Sequence, residues 1–418
     1  MTVARAPGFI ATATSRIRRL STPRLIVAVV LVVRLGFVFA FQIHSHLVGQ
    51  GGFNASPYGG LDDGRYYYET ATKLANGTQP DYVLNAFPRV LAFLMRLGIR
   101  DLLALKLISY AISSIAVILA ATLVWHLTRH LEEAARRWAV IVVSVVGGLF
   151  PSNVFWSLNS IMRDGWILSL VLIFLWGTST APSYVHRLVR WSIALAALAA
   201  AGVFRFYVVP VALAALVSAR VPFANPMRGV APRLVPVLVR LFLVAFTFII
   251  GVVLVAPFTT GLGFNILGWR SKPELLGKGS SLGYSFEDKD TMTVALLYLV
   301  SFISNAVGPL LWQIKSANQL LVLTELPFFA IIVVGLFRAD WRDPLARTCG
   351  LFALYWLLLL GLWNDVLGNA ARNRINAWPV LAIVAAAALS ESWSTRTDPT
   401  RPPRRGLRQL LLPLRPSQ

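Results

Sequence analysis

Apolar stretches close to twenty residues long recur almost from one end of this sequence to the other, separated by short polar punctuation. An α-helix needs about 20 such residues to cross the hydrocarbon core of a bilayer. Within that core only helices and closed barrels satisfy their own backbone polar groups. The segments 25–43, 102–125, 138–155, 165–175, 189–203, 206–217, 235–258, 319–337, 348–363 and 375–389 all read as spans. The expected fold is therefore all-α, a polytopic transmembrane helical bundle of about ten spans. Composition agrees: 56% of the 418 residues are hydrophobic and 14% charged, where a soluble domain carries about 25% charge. A soluble enzyme, a disordered chain and a disulfide scaffold are excluded. The single cysteine, Cys349, has no partner within the chain and reads as a small packing residue.

Lys and Arg number 39 against 18 Asp and Glu, for a net charge of +21. Such an excess can signal nucleic acid, but here the basic residues cluster at the ends of apolar segments, so topology explains them. Nucleic acid is not an expected partner; membrane lipids are. Residues 1–24 form a basic tail before the first span and 392–418 a second one after the last. Both tails read as cytoplasmic, with the membrane domain at 25–391 between them. The first span is read as retained rather than cleaved, since Arg34 interrupts it and no A-x-A site follows. The long loops at about 44–101 and 259–318 then lie outside. Segment 293–312 is apolar enough to span, but a span there would put the basic C-terminal tail outside. It reads instead as an amphipathic or re-entrant segment on the outer face, broken at Gly308-Pro309. The location expected is the plasma membrane. The Arg-heavy, Lys-poor, Ala-rich bias points to a bacterial inner membrane.

The first outer loop carries the densest chemistry. A glycine-rich linker leads into Asp62-Asp63-Gly64-Arg65-Tyr66-Tyr67-Tyr68-Glu69, and amphipathic helical stretches follow on either side of Asn76-Gly77. One reading of Asp62 or Asp63 is a plain helix cap. The other is a general base, well placed just outside a span to meet an acceptor hydroxyl. Arg65, Tyr66 and Tyr82 stand nearby as substrate-binding candidates.

Charges held near hydrocarbon are functional candidates by default. Arg163-Asp164 sits at a turn expected outside, as an interfacial ion pair or as a second acid lining the site. Arg205 and Arg34 interrupt apolar runs, where each either snorkels or meets a carboxylate or phosphate. Glu325 beside Pro327 reads as a packing residue or as cavity lining. Arg372 and Arg374 lie at an outer turn, against the positive-inside rule, and are candidate phosphate ligands. The histidines at 44, 46, 126, 130 and 186 form no metal-binding pattern, and no P-loop or Rossmann glycine pattern appears.

The sequence Asp62-Asp63-Gly64-Arg65-Tyr66 after a basic amino-terminal span, with Ala71, Leu74 and Gly77 at A-x-x-L-x-x-G spacing, resembles the GT-C glycosyltransferases. It is most similar to the branch holding the protein O-mannosyltransferases and lipid A aminoarabinose transferases. The second acid is Asp where that branch more often has Glu. The resemblance implies transfer of a sugar from a polyprenyl-phosphate donor to a lipid, glycan or protein acceptor, without cofactor or metal. It assigns the catalytic base to Asp62, with Asp63 as second choice. It also implies a further acid at the turn of Asp164, and carrier-phosphate contacts at Arg372 or Arg374. A non-enzymatic transporter, flippase or assembly partner in cell-envelope polysaccharide synthesis is the alternative. That role needs polar residues along a full path, whereas here they concentrate on one side.

Overall fold

In a computed structural model the chain is all-helical. Residues 22–53, 63–80, 85–179, 183–220, 289–314, 323–364 and 367–397 are described, with 83, 282 and 320, and no strand occurs among them. Asp62, Tyr82, the expected span at 235–258, and residues 1–21 and 398–418 of the two tails lie outside the described residues.

The helices are α1 (Thr22–Leu47), α2 (Asp63–Ala75), α3 (Phe87–Arg96), α4 (Leu102–Leu127), α5 (Glu133–Gly148), α6 (Pro151–Leu158) and α7 (Asp164–Thr178). They continue as α8 (Tyr184–Phe204), α9 (Val208–Arg220), α10 (Thr291–Val307), α11 (Leu326–Arg338), α12 (Pro344–Trp363), α13 (Leu367–Asn373) and α14 (Trp378–Thr397). Capping residues set several starts. Asp101 accepts from the Ala104 N–H, and Asp343 from those of Leu345 and Ala346 with Pro344 at the first position. In the first loop α2 buries Gly64, Tyr67 and Ala71 and α3 buries Phe87, Leu91 and Met95. That is helical spacing, so the expected amphipathic helices are present.

Among the described residues α1, α4, α8 and α12 are long and apolar enough to cross a membrane, and two bent pairs raise the count to six. Four to six candidate spans thus stand among the described residues, where about ten are expected over the whole chain. Segment 138–155 is not one straight helix, because α5 and α6 meet at a 56° bend. Segment 165–175 is α7, whose 15 residues rise only about 22 Å. Segment 206–217 becomes α9, shorter still at 13 residues. The helix expected over 319–337 begins only at Leu326. The final helix runs on to Thr397, preceded by α13 and a 3-10 turn at a 49° bend. A membrane location fits the surface of α1 and α8, which turn large apolar side chains outward, among them Val29, Val32, Ile43, Val185 and Val203.

The core centres on α7, buried almost all round between α4 and α8, while α14 packs on α5 and α11. The α5–α6 bend shows how polar side chains serve an apolar fold. Pro151 lacks an N–H and cannot continue α5, so carbonyls and amides at the break lose their helical partners. Arg34 donates from Nη1 to the Gly148 carbonyl (2.7 Å), and Asn153 from Nδ2 to that of Gly147 (3.2 Å). The Ser152 N–H donates to Glu325 Oε1 (2.7 Å). Arg34 therefore does not snorkel and, among the described residues, meets no carboxylate; it also donates to Ser113 Oγ (3.0 Å) and is fully buried.

Close helix approach depends on small residues. A methyl at Gly335 would lie 2.5 Å from the Cβ and 2.6 Å from the Cα of Ala385, and backbone cannot swing aside. Gly335→Ala should cost about 1–3 kcal/mol by forcing α11 off α14. Gly36, with nothing within 4 Å of its would-be Cβ, should accept alanine neutrally or with a gain of about 0.5–1 kcal/mol. Thermal unfolding of the two variants in detergent checks this; equal shifts would contradict the packing.

Candidate functional site

Two helix starts and two turns meet at one end of the bundle. Asp63 opens α2, Asp164 opens α7, Arg205 links α8 to α9, and Arg372 ends α13. Their charges alternate. Asp63 pairs with Arg372, Arg372 reaches Asp164 (3.4 Å), and Asp164 pairs with Arg205 at 2.6 Å. Asp164 and Arg205 are fully buried, whereas the Asp63 side chain keeps 39% of its exposure. The Asp164 contacts are ion pairs without hydrogen-bond alignment, which leaves its oxygens without a directed donor. Arg205 also donates to Asn373 Oδ1, and the Asn373 carbonyl accepts from Trp356 Nε1 (2.8 Å).

Arg163 stands beside this chain of charges with no carboxylate within ion-pair distance among the described residues. Its Nη1 donates to the Phe204 carbonyl (3.1 Å) and its Nε is buried without a partner. Burial and the neighbouring Arg205 both lower its pKa. The described cluster thus holds three guanidiniums, Arg163, Arg205 and Arg372, against two carboxylates, Asp63 and Asp164. A single negative charge would balance it.

Gly64 explains how α2 reaches this place. A Cβ there would lie 1.8 Å from Ser160 Oγ and 3.1 Å from the Ile161 nitrogen, so glycine lets the helix start dock closely on the turn before α7 without displacing the Ser160 hydroxyl. Edge-on aromatic contacts hold the dock: Tyr67 to Phe87 at 5.4 Å, then Phe87 to Trp166 at 5.4 Å and to Phe204 at 5.8 Å. Burial pushes the Tyr67 phenol up, with Arg163 and Arg372 pulling the other way, and it stays an O–H donor at neutral pH.

A second buried pair lies alongside. Arg374 meets Glu325 Oε2 at 2.7 Å, and neither side chain is more than 1% exposed. Arg374 also donates to the Gly308 carbonyl. Glu325 is thus a packing group that closes a helix break and holds Arg374, and Arg374 is held inside the fold rather than presented to an approaching phosphate.

Of the residues singled out from the sequence, Asp63, Asp164, Arg163, Arg205 and Arg372 come together, and Glu325 with Arg374 forms the adjoining pair. Arg65 does not join them: it pairs with Glu69 one turn on, both more than half exposed. Tyr66 is half-buried against the Tyr67 ring (5.7 Å). Asp62 and Tyr82 lie outside the described residues. Tyr67, Asn373 and Ser160 escaped the sequence reading. Spacing in α2 could have found Tyr67, which shares a helical face with Gly64 and Ala71. Nothing local singles out Asn373 between two arginines. No three metal-ligating side chains converge among the described residues. Comparison of the chain with protein-family models, with curated proteins and with solved structures found no match.

Proposed function

We propose that the protein is a membrane glycosyltransferase that uses a polyprenyl-phosphate sugar as donor on the outer face of the membrane. The observation that carries the reading is the half-exposed Asp63 carboxylate at the rim of a buried cluster in which, among the described residues, guanidiniums outnumber carboxylates by one. An accessible carboxylate suits a general base. An excess guanidinium suits a phosphate that gains charge as it leaves. The base is Asp62 or its neighbour Asp63. Its carboxylate takes the proton of an acceptor hydroxyl, whose oxygen forms a bond to the anomeric carbon. The bond from that carbon to the phosphate oxygen breaks, and polyprenyl phosphate departs with the electron pair, inverting the sugar. Arg163 and Arg372 receive its negative charge. Asp164 and Arg205 orient Arg372 and do not react.

The test is transfer by the full chain in lipid, from a panel of radiolabelled polyprenyl-phosphate sugars to a membrane extract. Wild type is compared with Asp62→Asn and Asp63→Asn. Transfer should fall by about 10²–10⁴-fold in one variant that still folds and binds donor. Both variants matching wild type would remove the catalytic assignment. Neither transfer nor donor binding in wild type would favour a transporter or assembly partner.

A further inference from the structure

At the other end of α7, a second group of arginines surrounds a cavity of about 170 Å³. It lies where α4 and α7 end and α5 and α8 begin, some 20 Å from Asp164 along one helix. Arg129, Arg136 and Arg190 line it together with His126, Trp125 and Trp176, and no carboxylate does among the described residues. The Arg136 guanidinium lies 3.7 Å over the Trp125 ring, and that of Arg190 4.6 Å over Trp176. Stacking fixes a guanidinium by its face, and Arg190 Nη1 donates to Ser179 Oγ at the cavity wall (3.4 Å). Arg136 Nε is shielded and has no hydrogen-bond partner. Asp343, the acid within electrostatic reach of His126, is engaged in capping α12. A third stack, Arg220 over Trp191 at 5.2 Å, extends the same layer.

We propose that this cavity binds the phosphodiester of an anionic phospholipid. At about 30 Å³ per water it has room for a phosphate group. Trp side chains with Arg neighbours at helix ends are what a bilayer's headgroup layer accommodates. The arginine-rich loops at this end favour the cytoplasmic leaflet, where anionic lipids and basic pockets between helices meet. Lipid rather than free phosphate is the occupant, because helices that line the cavity carry exposed apolar side chains beside it in the chain: Ile118 on α4 and Val185 and Leu188 on α8. The proposal is independent of the glycosyltransferase reading.

The experiment measures binding of phosphatidylglycerol and phosphatidylcholine with identical fluorescent acyl chains to the full protein in detergent. Phosphatidylglycerol should bind at least about fivefold tighter, and Arg129→Gln and Arg136→Gln should each remove about fivefold. Arg129 is exposed, so its variant decides the matter if Arg136→Gln fails to fold. Arg137→Gln, whose partner is Glu133 on the helix surface, should leave the preference intact. Equal binding of the two lipids, or a preference unchanged in Arg129→Gln, would overturn the proposal. So would an equal loss in Arg137→Gln, or complete displacement by excess inorganic phosphate.

Discussion

Asp164→Ala should lose about 3–5 kcal/mol of stability, as much as truncating a large buried apolar side chain. Asp164 is 1% exposed and lies between Arg205 and Arg372. Removing it leaves three guanidiniums facing one carboxylate, Asp63, with Arg205 almost wholly shut from water. A buried charge that loses its partner pays its full desolvation without compensation. Pairing the change with Arg205→Met should recover part of the loss, because apolar groups of similar volume replace a buried ion pair at little cost. Arg372 keeps Asp63 in that double variant. Helical circular dichroism through thermal unfolding in detergent, on both single variants and the double, gives the coupling. Additive losses would mean that Asp164 and Arg205 do not interact, and the alternating chain of charges would be wrong.

Much of this site is legible because hydrocarbon makes charge conspicuous. Asp164 and Arg205 stand in apolar sequence, and Arg372 and Arg374 sit on a turn where positive charge is out of place, so each attracts notice one residue at a time. The pairing is not legible. Whether Arg372 or Arg374 meets the acids depends on a 3-10 turn that aims one at Asp63 and Asp164 and the other at Glu325. Hydropathy has no information about that turn. The same limit explains the span count. A window of apolar residues reads α5 and α6 as one rod, because neither the bend at Pro151 nor the side chains that satisfy it alter average hydropathy. Arg34 looked like a site residue for a related reason. A charge within a span has to be paired with something, and sequence cannot tell a carboxylate from an orphaned carbonyl. The glycine of the Asp62-Asp63-Gly64 sequence was visible, but its role is tertiary: the atoms that crowd a side chain there belong to Ser160 and Ile161.

Glu325→Ala should cost as much as the loss of Asp164, about 3–5 kcal/mol, and it separates two contributions that the other site combines. Oε2 pairs with Arg374, while Oε1 accepts the Ser152 N–H at the start of α6. Alanine strands a guanidinium that is 0% exposed and orphans a buried amide, the second alone worth about 1–3 kcal/mol. Glu325→Gln keeps an acceptor for Ser152 and removes only the charge, so it should fall between wild type and alanine. Glu325→Gln with Arg374→Met removes both charges and should be more stable than Glu325→Gln alone. Thermal unfolding in detergent orders the four proteins. If Glu325→Gln matched Glu325→Ala, the Ser152 contact would contribute nothing. If the double variant were the least stable, Arg374 would owe its place to Gly308 rather than to Glu325. Glycosyl transfer measured on the same variants adds a second reading. Glu325 and Arg374 pack beside the cluster without facing it, so activity should decline only as folded protein is lost. A fall in transfer at unchanged stability would move this pair into the reacting site.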